Sequence, residues 1–359
     1  KDYDLTKKIY SKYSIIDFEN EPSRNLIKYE FFTLFHMTND SSLFTKASFD
    51  TVPLYEAKMF YHYDHRYATY ENATQANLNE GNLPQLDVYS HQNPQKQNVP
   101  NFFIKNSDLT PILIRLGYLK KYLLAYRGIS NSSSERTLIS SILPLYGVGN
   151  SAPCINIKEG SVFDYITLLS SLNSICVDYT IKQKFSRNNI NFFVIKQIPL
   201  PTKNEISPAI LNQIIFITIE LVFTSWDIKC FADDVWKEAD EKLRLLLRTQ
   251  WDENKTKTGE HKWDPPKWCE IDNDGCPFPP FKWDEDRRAV LKAELDAIYA
   301  KLYGLTTDEL RYILDPQDVY GPDFPGETFR VLKEKEIRNY GEYRTKRLVM
   351  EAWERLNNS

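Results

Sequence analysis

Two runs hold most of the side chains able to do chemistry. Between Tyr126 and Asn150, YRGISNSSSERTLISSILPLYGVGN gathers Arg127, Ser130, Asn131, Ser132, Ser133, Ser134, Glu135, Arg136 and Thr137 into one polar stretch. Apolar Leu138, Ile139, Ile142 and Leu143 follow, then Pro144, Gly147 and Gly149. Forked and small hydrogen-bonding groups held between apolar anchors suit the grip of a phosphate backbone or the reading of base edges. The same residue types also suit a capped turn ahead of a buried element. The second run, LYEAKMFYHYDHRYATY (54–70), sets Lys58, His62, His65 and Arg66 among Tyr55, Tyr61, Tyr63, Tyr67 and Tyr70. Cations interleaved with aromatic rings suit nucleic acid through charge and stacking. They equally describe an element with one aromatic core face and one polar face.

Other spacings are weaker. Glu56-Ala57-Lys58 fits the E-x-K of metal-dependent nucleases, with Asp40 or Asp50 upstream, but the pattern recurs at Glu253 and Glu260. Asp264-Pro265-Pro266-Lys267 resembles the tetrad with which amino methyltransferases hold their target amine, except that Lys267 replaces the stacking ring. His261, Cys269 and Cys276 lack a paired C-x-x-C, and a closed zinc site needs four ligands. Gly147-x-Gly149 lacks a third glycine, and His62 with His65 lacks a third metal partner. No catalytic, cofactor or metal site is therefore expected in this chain.

The elements that must position these groups follow from the whole chain. Its 359 residues, 42% hydrophobic and 26% charged, predict a globular protein of two or three packed units. Five cysteines at irregular spacing predict reduced thiols in a cytoplasmic protein. There is neither an 18-residue apolar run nor a signal peptide, so no membrane association is expected. The chain opens at Lys1 without an initiator Met and reads as a piece of, or a trimmed product from, something longer. Net charge is −4, yet residues 110–203 carry eleven basic and four acidic side chains, a local +7. That segment is a candidate phosphate-facing surface.

Periodicity predicts a strand over 28–37, a loop over 71–100, helices over 107–124 and 163–185, and a strand over 190–202 closed by prolines. A helix opens at Ser207-Pro208, another at Asp233 or Asp234, and 250–283, with four tryptophans and five prolines, reads as irregular. Asp284 caps an amphipathic helix (Leu291, Leu295, Ile298, Leu302) that stops at Gly304, and Thr306-x-x-Glu309 is a capping box. Two further helices, about 326–339 and 342–355, are broken at Gly341.

Six phrases taken in order carry a resemblance: LYEAKMFYHYDHRYATY, YRGISNSSSERTLISSILPLYGVGN, LNSICVDYTIKQKF, NFFVIKQIPLP, FTSWDIKCFADDV, and the long run from Phe281 to Trp353. Together they are similar to the C-terminal half of large single-chain, adenine-specific DNA methyltransferases of bacterial restriction–modification systems, with a TaqI-like target-recognition region. In that family methyl transfer belongs to an upstream domain carrying a glycine-containing S-adenosylmethionine motif and an N-P-P-aromatic tetrad, neither of which occurs here. The resemblance implies a role after those motifs: binding duplex DNA, reading a site, and presenting one adenine to a methyltransferase catalytic domain, in cis or in trans, that flips it out. It implies DNA contacts at Lys58, His62, His65, Arg66, Arg127, Ser130, Asn131, Ser132, Arg136, Lys182, Lys184, Arg187 and Asn188. S-adenosylmethionine would be bound by the missing domain and not by this chain.

The expected fold is therefore α+β. A connector (1–50) leads into a mixed α/β target-recognition domain (51–205), followed by a mainly α-helical C-terminal region (206–359). Two rivals predict other behaviour. One is a protein-interaction scaffold of a phage-defence complex docking through the acidic helices of 284–355. The other is a nuclease built on Glu56 and Lys58.

Overall fold

The runs YLLAY, SSILP and CINI are almost unbroken apolar stretches, the pattern of strands covered on both faces. The computed structural model, which describes residues 1–17, 27–130, 134–184, 189–326 and 328–358, shows them as three adjoining strands of one sheet. Among the described residues the strands are β1 (Tyr29–Phe32), β2 (Thr51–Tyr55), β3 (Phe103–Lys105), β4 (Tyr122–Tyr126), β5 (Ser140–Pro144), β6 (Gly147–Val148) and β7 (Cys154–Ile157). One sheet runs β1-β7-β4-β5, antiparallel throughout. A smaller one runs β3-β2-β6, with β2 antiparallel to β3 and parallel to β6.

The larger sheet divides two apolar cores. Alternation along β4 sends Tyr122, Leu124 and Tyr126 into the larger core and Leu123 and Ala125 into the smaller one. Ile142 and Leu143 of β5 split in the same way. The smaller core is closed by Tyr55, Met59, Phe60 and Ile104. The larger core runs from Leu5 to Trp353 and passes without a break across residue 205.

Helices cover the cores, most of them the larger one. In order they are α1 (Asp2–Lys12), α2 (Gln75–Glu80), α3 (Val88–Gln92), α4 (Asn106–Leu116), α5 (Val162–Leu172), α6 (Ile175–Lys184), α7 (Phe192–Lys196), α8 (Pro208–Val222), α9 (Lys229–Glu238), α10 (Glu241–Thr258), α11 (Glu285–Leu302), α12 (Thr307–Leu314), α13 (Pro316–Tyr320), α14 (Arg330–Tyr340) and α15 (Arg344–Asn358). They concentrate in the C-terminal half, so the expected α+β class holds. The α5 helix, sealed at its start by a Ser161–Asp164 capping box, packs on β5, α8 and α9. The α11 helix lies along α15 and also meets α8 and α6. The apolar faces of the helices from Asp284 onward are thus used inside this chain: Leu295, Ile298, Leu348, Val349 and Trp353 are all buried. No described helix is long and apolar enough to cross a membrane.

Several sequence expectations need correction. The single helix over 163–185 is two, because Asn173 is tied sideways to β5. Its Oδ1 accepts from the Ser140 amide at 2.9 Å and its Nδ2 donates to the Ser140 carbonyl at 3.0 Å. The strand over 190–202 is mostly α7, capped by Asn191, and only Ile198–Leu200 is extended, bonded to residues 14–16. Asp233 lies inside α9, whereas Asp240 caps the next helix by accepting from the Leu243 amide at 2.7 Å. That helix continues to Thr258, well into the stretch read as irregular. The helix over 107–124 runs instead from Asn106 to Leu116, ended by Gly117 (φ 60°), and Tyr122 already begins β4. Asp284, Gly304 (φ 71°), the Thr306–Glu309 box and Gly341 (φ 77°) stand where the sequence puts them.

Candidate nucleic-acid interface

The segment 56–70 leaves β2 and immediately reverses. Tyr63 makes the reversal with φ 58°, a left-handed conformation unusual for a bulky residue, and its ring is buried. The three polar residues that follow each turn inward. Asp64 accepts from the Arg66 amide at 2.9 Å and pairs with His91 Nε2 at 3.1 Å. His65 Nε2 lies 2.9 Å from Asp227 Oδ1 and 3.1 Å from Ser225 Oγ. Burial alone would raise the Asp227 carboxyl, but His65 and Arg66 more than offset it and hold it below the usual range. Ser225, His65 and Asp227 do not make a nucleophilic triad, since serine and aspartate meet the same ring nitrogen and all three are buried. Arg66 is fully buried. Its Nη1 donates to the carbonyls of Asn93 (2.8 Å) and Lys96 (3.1 Å), its Nη2 to those of His91 (2.9 Å) and Thr224 (3.0 Å). The loop over 71–100 is thereby stitched to this segment; Asn98 Nδ2 adds donations to the carbonyls of Met59, His65 and Ala68.

The polar run after β4 packs beside it. Arg127 donates through Nε to the Phe60 carbonyl at 2.9 Å, and its guanidinium lies 5.2 Å from the Tyr61 ring and 5.5 Å from that of Tyr67. Ser130 is half-buried; Asn131 and Ser132 lie outside the described residues. Glu135 pairs with Lys335 of α14 at 2.6 Å. Arg136 turns away from solvent to Asp178 of α6. His62 Nε2 donates to the Leu138 carbonyl at 2.8 Å, and burial, reinforced by the Arg136 charge, pushes its imidazole well below its usual pKa.

The end of α6 completes the surface. Lys182 donates to the Ser134 carbonyl at 3.1 Å and lies over the Phe329 ring. Lys184 is exposed, 4.0 Å from the centroid of Tyr10. Arg187 and Asn188 lie outside the described residues, but Asn189 bridges to Ile129 next to the polar run. Lys58, half-buried, is 5.0 Å from the Tyr70 ring and 3.6 Å from Glu56.

The three segments expected to touch DNA are therefore neighbours, although far apart in sequence. The side chains expected to make the contacts divide differently. His62, His65 and Arg66 are buried and bonded inside the fold, Arg66 through both terminal nitrogens, and Arg136 is spent on Asp178, so these four are placed to hold the surface together and not to reach a phosphate. Lys58, Arg127, Ser130, Lys182 and Lys184 remain on it. Charge and hydrogen-bonding type alone do not distinguish an inward arginine from an outward one. The partners that turn Arg66 inward are backbone carbonyls, which no sequence pattern displays.

Below this surface lies a cleft of about 390 Å³ that the sequence does not announce. Tyr61, His62 and Tyr67 form one wall; Arg288, Lys292 and Asp296 of α11 form the floor; α14 and α15 close it through Lys335, Tyr340 and Arg344. Tyr61 and Tyr67 stack with centroids 4.8 Å apart. Trp283 carries the His91 ring at 3.9 Å and the Arg288 guanidinium at 3.7 Å. Burial, with Arg288 and Arg136 nearby, brings the Lys292 ammonium down to about 8. Burial pushes the Asp296 carboxyl up to about 6, even though Arg136 and the Ile175 amide favour its charged form. Its trace in the sequence is the four-residue spacing of Arg288, Lys292 and Asp296 on one face of α11, which by itself reads as a solvated stripe.

Elsewhere, Glu56 accepts from the Tyr70 hydroxyl and pairs with Lys58. Among the described residues, no three His, Cys, Asp or Glu side chains are grouped to hold a metal ion, and Cys276 is buried apart from His261 in no such group. Asp264 receives the side-chain amide of Gln95. No protein-family model and no curated protein matches the chain.

Proposed function

We propose that this chain binds duplex DNA and supplies sequence recognition to a S-adenosylmethionine-dependent adenine methyltransferase of a restriction–modification or phage-defence system. The observation that carries the reading is the convergence of 56–70 with the described parts of 127–138 and 182–190 (127–130, 134–138, 182–184 and 189–190). Arg127 joins the first two through Phe60, and Lys182 and the Ile129–Asn189 bridge join the last two. The same three segments carry the family resemblance, and two of them lie in or border the positive stretch of the chain. The buried cations fix the backbone, and Lys58, Lys182 and Lys184 at the rim would neutralise phosphates. Arg127 and Ser130 would supply hydrogen-bonding groups to base edges.

The test is binding of a mixed-sequence duplex by fluorescence anisotropy across a salt series. Affinity should fall steeply, log K declining linearly with log salt, because each neutralised phosphate releases counterions. Lys58→Ala and Lys184→Ala should weaken binding to all sequences alike and flatten the slope by roughly one each. Affinity indifferent to salt would remove DNA as the partner.

A further inference from the structure

Lys292 is the charge in the cleft that the protein leaves unanswered. Among the described residues no hydrogen bond or ion pair reaches its Nζ. Of the acids that line or face the cleft, Asp64 is taken by His91, Glu135 by Lys335, Glu336 by Thr345 and Asp296 by the Ile175 amide, while Glu285 is exposed at its edge. The neighbouring guanidiniums are taken too. Arg288 donates to the Leu221 carbonyl at 2.8 Å and lies over Trp283, and Arg136 pairs with Asp178. An ammonium withdrawn from water beside two other cations is a standing cost to the fold. An anion arriving from solution would relieve it.

The surroundings specify what kind of anion. The cleft has the volume of a small-ligand site, in the range of about 300–1,000 Å³ typical of such pockets, and not that of a groove for a duplex. Its wall holds the stacked Tyr61–Tyr67 pair, a flat surface for a ring system. Exposed Gln85 and Glu285 at its edge offer acceptors for a ring amine.

We propose that this cleft binds a single nucleotide, its phosphate on Lys292 and its base against the Tyr61–Tyr67 pair. Two sources share that chemistry: a free nucleoside monophosphate, or one nucleotide unstacked from bound DNA. The second source rests on the DNA-binding reading; the first does not.

The experiment titrates the whole chain and Lys292→Gln with adenosine 5′-monophosphate, adenosine and inorganic phosphate by calorimetry, with melting curves to confirm that both are folded. In parallel, both are added to a duplex carrying one 2-aminopurine, whose fluorescence rises on unstacking. Monophosphate binding at least tenfold tighter than adenosine or phosphate, and weakened at least tenfold by Lys292→Gln, supports a free ligand, whether or not the duplex is bound. A 2-aminopurine rise that Lys292→Gln abolishes, while duplex affinity persists, supports a nucleotide drawn from DNA. Monophosphate bound equally by both proteins overturns the assignment. So does a duplex bound with no fluorescence change by a chain that ignores the monophosphate. A chain that binds neither probe overturns it as well, and only the salt series then decides the DNA reading.

Discussion

Arg136 and Asp178 join the sheet to the helical half of the protein: Nε meets Oδ2 at 2.8 Å, and the guanidinium also donates to the Asn173 carbonyl at 2.6 Å. The other oxygen of Asp178 accepts the amides of Thr137 and Leu138, each at 2.8 Å, so one fully buried carboxylate fixes the start of the segment that leads into β5.

Arg136→Ala should therefore act on stability. Removing the guanidinium leaves a buried carboxylate without its countercharge, which costs on the order of 3–5 kcal/mol. Arg136→Lys should recover little of it, because an ammonium cannot address Asp178 and the Asn173 carbonyl in one plane. Urea unfolding measures both. A loss below about 1 kcal/mol for Arg136→Ala would return this arginine to the DNA-reading surface.

Arg66 makes the same argument with backbone partners. Arg66→Ala strands the carbonyls of Asn93, Lys96, His91 and Thr224, and each unsatisfied buried group costs about 1–3 kcal/mol. We expect a loss of at least about 3 kcal/mol, with duplex affinity per folded molecule unchanged. Reduced affinity in a variant whose unfolding curve is intact would show that Arg66 faces DNA.

These two arginines show what the sequence discloses. Element type was legible wherever local chemistry decides it: the Asp284 cap, the Thr306–Glu309 box, and glycines 304 and 341, whose positive φ only a residue without Cβ adopts freely. It failed where a distant partner decides. Asn173 breaks a helix because Ser140 lies beside it. At 192–196 the missed signal was local: Asn191 caps a short helix before the extended run can start. The three surface segments were legible as a group. The direction of each side chain was not, and the cleft was not, because its floor is a helix whose charges look like a solvated stripe until α14 and α15 cover it.

His62 and His261 should withdraw folding stability as the pH drops from about 6.5 toward 4.5, opposed by Asp296, whose folded-state pKa of about 6 lies above its unfolded value. His62 donates from Nε2 to a carbonyl, and its folded-state pKa lies well below the unfolded value. Below about 6.5 the unfolded chain takes up a proton that the native chain refuses, and each such group withdraws stability until its folded pKa is reached. His261, brought down to about 4 by burial, acts in the same sense. Comparison with His62→Gln, which keeps a donor for Leu138, isolates the one residue. The variant should show a shallower decline over this window in denaturant titrations, and an identical slope would mean that His62 protonates in place.

Lys292→Met should stabilise the free protein by roughly 1–3 kcal/mol at pH 7, since it removes an unpaired, partly desolvated charge and keeps the aliphatic stem. The sign is fixed by the direction of the shift. The folded-state ammonium, brought to about 8, lies below its unfolded value of about 10.4, so the native state binds that proton less well. Below pH 8 both states hold the proton and the folded state bears the full penalty; between about 8 and 10.4 only the unfolded state holds it, and stability rises. The groups facing Lys292 are Arg288, Asp64, Arg136 and Asp296. Of these, Asp296 titrates near 6, below that range, Asp64 and Arg136 stay charged across it, and Arg288, brought down to about 10 by burial, loses its proton only toward the top, mostly above the pH 9.5 of the comparison. Unfolding free energies at pH 7 and pH 9.5 should therefore show the variant ahead at the lower pH and the gap narrowing at the higher. A variant less stable than the parent at pH 7 would mean that Lys292 already has a partner worth more than its burial costs, and the cleft would lose the charge that makes it a site.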